Sequence, residues 1–160
     1  MSQAKASERS AHVVSQASAP TVVRAYADGA CSGNPGPAGL GVVWMHHQEV
    51  WELSEYLGVA TNNIAELRAI SRVLQRVAES RAPVEIHTDS QYSIGVLQLG
   101  WKAKANTELV AEIRQQIRDL VHVRLHHVRG HSGHVHNERA DALARAAIAE
   151  RHNRGWVRVK

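Results

Sequence analysis

Residues 21–57, TVVRAYADGACSGNPGPAGLGVVWMHHQEVWELSEYL, decide the fold. Thr21 to Asp28 is β-prone and stops at Gly29, where a Gly/Pro-rich stretch, CSGNPGPAG, turns the chain. Leu40 to His46 reads as a second strand, and His47-Gln48 as a short turn into a third, Glu49 to Leu57. Three antiparallel strands in a row are expected.

Beyond them the period changes. Thr61 and Asn62 are cap-type residues, and Leu67, Ile70, Leu74 and Val77 follow at helical spacing up to about Ser80. That helix carries Glu66 in its first turns. Pro83 opens an extended segment, Val84 to Asp89, then a short helix, Ser90 to Leu97, and a break at Gly100-Trp101-Lys102. A helix over Thr107 to Leu120 and a fifth strand over Val121 to Val128 precede a Gly/His-rich loop, Arg129 to His136. In the last helix Ala140, Leu143, Ala144, Ala147 and Ile148 form the buried stripe, with Asp141 at its edge. The order predicts an α/β fold: a mixed five-stranded sheet, three antiparallel strands and then parallel ones, flanked by helices. No internal repeat interrupts it.

With 160 residues and 44% hydrophobic content the chain can bury one sizeable core. The expected organisation is a small, polar, disordered leader over residues 1–20, one domain over 21–150, and a basic tail over 151–160. The net charge of +4 belongs to the ends: residues 21–150 carry 13 basic and 14 acidic side chains, while the final ten carry four cations and no acid. A near-neutral body with an acidic centre binds a polyanion poorly unless cations accompany it. The single cysteine, Cys31, excludes an internal disulfide and fits a reducing compartment. Without a signal-length or bilayer-spanning apolar run, a cytoplasmic protein with no membrane partner is expected.

Four carboxylates stand in distinctive settings: Asp28 in YADG, Glu66 in TNNIAEL, Asp89 in HTDSQY and Asp141 in NERADALA. Taken singly, an aspartate at a strand end is more often a turn former or cap than a ligand. Together the four lie at strand ends and in the opening turns of helices, flanked by small residues that leave room for a substrate. If they converge, they repel one another unless a cation lies between them, and oxygen-only ligands select Mg²⁺ or Mn²⁺. The usual work of such a site is displacement at a phosphate.

The segments at 26–39 (YADGACSGNPGPAG), 61–67 (TNNIAEL), 86–92 (IHTDSQY) and 127–144 (HVRGHSGHVHNERADALA) resemble, in order, the motifs of type 1 ribonucleases H. The resemblance runs over residues 21–150. It implies the mixed sheet read above and hydrolysis of the RNA strand of RNA·DNA hybrids, giving 5′-phosphate and 3′-hydroxyl ends. It makes Asp28, Glu66, Asp89 and Asp141 the catalytic, metal-binding carboxylates, with two Mg²⁺ ions per site or Mn²⁺ in their place, and His131 an auxiliary in proton transfer and product release. Asn34, Thr61, Asn62, Asn63 and Gln91 would contact the substrate, with Trp101 set against a deoxyribose of the DNA strand and Asn106 beside it. A monomer is expected. Turn and cap chemistry accounts equally for Asn34 and Thr61-Asn62.

The chain departs from many bacterial members in lacking a basic protrusion before Gly100-Trp101-Lys102. The decapeptide 151–160, four cations around Trp156, is either its substitute in gripping phosphates or a solvated tail. Three alternatives stay open: a zinc cluster among His126, His127, His131, His134 and His136, a transposase-like or resolvase-like DNA nuclease on the same fold, and a hybrid-binding module without activity.

Overall fold

In the computed structural model, residues 21–130 and 133–160 are described. The leader, residues 1–20, and His131 lie outside the described residues. Three strands come first, β1 (Val23–Cys31), β2 (Gly36–His46) and β3 (Glu49–Ala60). They are antiparallel, with Asp28 opposite Gly41 and Gly41 opposite Ser54. The β2–β3 turn is the pair His47-Gln48, both at positive φ (52° and 65°), the twist that a two-residue hairpin requires. Both strands run further than expected: Gly36 to Gly39 remain in the ladder, and the register slips at Ala38/Gly39, beside Gly58 at φ 73°.

Helix α1 (Asn62–Ser80) starts where the Thr61 hydroxyl accepts the Ile64 N–H at 3.2 Å and stops at Arg81 in the left-handed region. After it come β4 (Val84–Thr88), α2 (Gln91–Leu97), α3 (Thr107–Arg118), β5 (Val123–His127) and α4 (Val135–Glu150). β4 is parallel to both β1 and β5.

The sheet has six strands, not five, in the order β5-β4-β1-β2-β3-β6. The added strand, β6 (Arg154–Arg158), is cut from the expected tail and pairs antiparallel with β3. Its cations meet acids: Arg154 pairs with Glu150, four residues earlier, and Arg158 with the remote Glu49, each at 3.3 Å. Trp156 packs edge-on to Trp44, with centroids 5.9 Å apart, and the Arg76 guanidinium sits 4.5–5.1 Å from the rings of Trp44, Trp51 and Trp156. A strand thus replaces the solvated tail because an aromatic anchor and two counter-ions await it. At the opposite edge the Gln98 amide donates to the Leu125 carbonyl (3.1 Å) and accepts the Leu125 N–H (2.8 Å), so one side chain pairs with β5.

The two faces of the sheet are covered differently. On one, Val23, Ala25, Ala27, Leu40, Val42 and Ile86 bury against Leu67, Ile70, Leu74 and Val77 of α1, with α2 and α3 closing the layer. On the other, α4 lies so close to β2 that a Cβ on Gly41 would fall 2.1 Å from the Ala140 carbonyl oxygen. Among the described residues no helix is long and apolar enough to cross a membrane.

Candidate active site

Alternation along β1 sends Ala25 and Ala27 to the α1 face and Tyr26 and Asp28 to the α4 face. Asp28 is 3% exposed at the centre of the sheet. The next residue, Gly29, lets α1 settle on the strand: a Cβ there would lie 2.4 Å from the Glu66 backbone nitrogen. The Gly29 N–H donates to Glu66 Oε2 at 3.1 Å, which aims that carboxylate back over β1. Asp89 directly follows β4, the parallel neighbour of β1, and Ser90 caps α2 immediately after it, its hydroxyl accepting the Ser93 N–H at 3.1 Å.

Carboxylate oxygens of Asp28, Glu66 and Asp89 lie within 4.8 Å of one another. Asp141, from the second turn of α4, completes the rim of a polar cleft of about 440 Å³ that these four share with Asn62, Asn63, Gln91 and Tyr92. Burial, then the charges of Asp89 and Asp141, push the Asp28 carboxyl up to about 8. Burial, with Asp28 and Asp89 adding to it, raises Glu66 well above the usual carboxylate range. The fold has buried like charges side by side, the arrangement a bound cation relieves.

The other expected residues divide. Asn34 Oδ1 accepts the Asn62 N–H at 3.0 Å, pinning the β1–β2 turn to the start of α1, and Thr61 caps that helix. Both perform local structural work at the mouth of the cleft. Asn62, Asn63 and Gln91 line it directly. Trp101 and Asn106 stand outside it, Asn106 at φ 57° just before α3. Three of the histidines raised as zinc ligands are in ring contacts: His126 stacks on His87, which stacks on Tyr26, and His134 and His136 lean on Tyr26 at 5.0 and 5.2 Å between ring centroids. Among the described residues Asp28, Glu66 and Asp89 form the one group whose ligand atoms lie close enough together to hold a metal ion.

Two contributors escaped the reading of the sequence. Gly29 sets the approach of Glu66, and only knowledge of which helix crosses β1 could have shown it. Arg145 donates from Nε to Asp141 Oδ2 at 2.9 Å, a pair that the four-residue spacing on α4 does announce.

A family model described as RNase H matches residues 20–149. A ribonuclease H of Chlorobium phaeovibrioides (strain DSM 265 / 1930) is 37% identical over 143 residues, covering 81% of this chain and 97% of that protein. One from Phenylobacterium zucineum (strain HLK1) is 41% identical over 139 residues, 78% of this chain and 89% of its own length. Among solved structures, LC11-RNase H1 in complex with an RNA/DNA hybrid superposes with a TM-score of 0.71 at 32% identity, over 81% of this chain and 98% of that one.

Proposed function

The chain belongs to the ribonuclease H family, type 1, and on that premise we propose that its cleft hydrolyses the RNA strand of RNA·DNA hybrids, leaving 5′-phosphate and 3′-hydroxyl ends. The observation that carries the reading is the convergence of Asp28, Glu66 and Asp89 within 4.8 Å, with Asp141 on the same cleft. The donor set is all oxygen, buried and mutually repelling, which fits hard divalent cations. Asp28, Glu66, Asp89 and Asp141 would hold two Mg²⁺ ions, or Mn²⁺, whose chemistry at a phosphodiester is to activate water and neutralise the departing oxygen.

The chain's own groups do the rest. Asp28, held rigid by the sheet, fixes where the scissile phosphate must lie. Glu66 stands beside Asn62 and Asn63 at the start of α1, positioned to read a ribose 2′-hydroxyl and so to tie cutting to RNA. Asn62, Asn63 and Gln91 offer neutral hydrogen bonds to the strand backbones, with Asn34 and Thr61 framing them and Asn106 beside the DNA strand. His131 is assigned the proton transfer that accompanies product release. We take the body over 21–150, which supplies all four carboxylates of the cleft, as the catalytic domain, and a cytoplasmic monomer as the form in which it works.

Cleavage of a labelled RNA·DNA hybrid beside matched RNA·RNA and DNA·DNA duplexes, with Mg²⁺, Mn²⁺ or EDTA, tests this for the parent and Asp89→Asn. Metal-dependent cutting confined to the RNA strand of the hybrid, and lost in the variant, is expected. Cutting of the DNA duplex would transfer the site to a DNA nuclease, and binding without cutting under either metal would leave a hybrid-binding module.

A further inference from the structure

The four carboxylates of the cleft are not held alike. Asp28, Glu66 and Asp89 bring oxygens within 4.8 Å of one another, and Asp141 stands apart from that group. It belongs to the cleft nonetheless: Asp28, raised first by burial and then by its acidic neighbours, counts Asp141 among them through a hydrogen bond as well as through charge. What distinguishes Asp141 is a cation of its own. Arg145, one turn further along α4, donates from Nε to Asp141 Oδ2 at 2.9 Å. The aspartate side chain is 21% exposed and the arginine 66%, so the guanidinium reaches the carboxylate from the solvent side. An exposed pair of this spacing contributes little to stability, and its consequence lies instead in the electrostatics of the cleft.

We propose that Arg145 is a positioning residue that makes the cation position beside Asp141 the weaker of the two in the cleft. The inference rests on the function proposed above and adds to it an inequality between the two positions. Both effects of the ion pair act in that direction. Oδ2 already accepts from Nε, so a divalent ion must share that oxygen with the guanidinium or take Oδ1 alone. The guanidinium also fixes a permanent positive charge beside the position, and that charge repels an incoming ion. Glu66, by contrast, is aimed by the neutral N–H of Gly29, which brings no positive charge into the cleft. Arg145 thus sets the order of filling: the position among Asp28, Glu66 and Asp89 is taken first, and the one beside Asp141 is gained against the arginine.

Binding of Mn²⁺ to the metal-free protein, followed at low ionic strength by calorimetry and by the electron-spin signal of the unbound ion, tests this for the parent, Arg145→Gln, Arg145→Lys, Asp141→Asn and the double variant Arg145→Gln with Asp141→Asn. Arg145→Gln is expected to tighten the weaker association by about three- to tenfold and to leave the stronger one within about twofold. Where the parent takes up one Mn²⁺ over the accessible range, the same effect appears as a second ion bound by the variant. Arg145→Lys keeps the charge and should lie closer to the parent than to Arg145→Gln. With Asp141 already asparagine, Arg145→Gln should change Mn²⁺ binding by less than about twofold. The Mg²⁺ concentration that half-saturates cutting of the hybrid should fall in Arg145→Gln by the same factor as the weaker Mn²⁺ constant. Thermal midpoints of the metal-free proteins verify folding. Isotherms of Arg145→Gln that superpose on the parent's, or that are weaker, overturn the proposal. So does equal tightening of both associations or on the Asp141→Asn background, either of which would make Arg145 a general surface charge. A parent that binds Mn²⁺ yet cuts no hybrid overturns the proposed function and leaves the Arg145 comparison readable, whereas one that binds no Mn²⁺ overturns both.

Discussion

The α1 face of the sheet is built from volume and the α4 face from closeness. Under α1, Leu67, Ile70, Leu74 and Val77 fill a deep apolar layer, while under α4 Gly39 and Gly41 let the helix backbone touch the strand. The first arrangement supplies stability and tolerates small shifts of side chains. The second buries little but fixes a distance, and that distance carries Asp141 toward Asp28, which projects on the same face opposite Gly41. Apart from the single close contact of Gly29 with α1, which aims Glu66, the molecule places most of its apolar gain on one side and its closest helix-to-strand approach on the other.

Charge gives the largest test of that division. Asp28→Asn should lower kcat by about a thousandfold or more, since the site loses its central ligand. The metal-free variant should nevertheless unfold at higher denaturant, by about 1–2 kcal/mol, because a buried repulsion has gone. Titration follows the same sign. The folded state holds the Asp28 proton up to about pH 8, whereas the unfolded chain releases it near 3.8. Folded protein therefore binds more protons in that window, and its contribution to stability, complete below the lower value, declines as pH rises through the upper one. Urea midpoints of the metal-free parent relative to Asp28→Asn should fall from pH 5.5 to 8.5, and saturating Mg²⁺ should flatten the trend; a rising difference would contradict the raised pKa.

Paired substitutions on the two faces come next. Leu74→Ala should cost about 2–5 kcal/mol yet leave kcat near the parent's at temperatures where the protein stays folded. Gly41→Ala should cost about 3 kcal/mol and also reduce kcat by at least about tenfold, because the new Cβ meets the Ala140 carbonyl and moves Asp141 with α4. Equal losses of kcat in both would erase the distinction between the faces.

The smallest effect concerns the strand added at the sheet edge. Trp156→Ala should reduce stability by about 2 kcal/mol by emptying the box around Arg76. KM for the hybrid should stay within about twofold of the parent's. A larger rise would return residues 151–160 to the role of a phosphate grip.

Much of this was legible in the chain. The β-prone run from Thr21 to Asp28, the Thr61 cap and the helical stripe through Val77 are local signals, and the structure follows them because burial rewards the same pattern that propensity sets. The His47-Gln48 turn was readable by position between two strands even without glycine. β6 was not, because the four cations of residues 151–160 read as a tail, and of the groups that neutralise and anchor the strand only Glu150 is near in sequence, while Glu49 and Trp44 are about a hundred residues away. The four carboxylates were individually visible, but their convergence depends on two contacts, Gly29 with α1 and Gly41 with α4, that no spacing encodes.

Gln98 has a consequence beyond the fold it helps to close. An open strand edge is a template on which other chains can add, and β5 would offer its unpaired donors and acceptors to any extended segment nearby. The Gln98 amide already takes both hydrogen-bonding positions of Leu125, the middle residue of that strand. One side chain imitates an end-stopped neighbour and occupies the middle of an edge on which another strand could otherwise add.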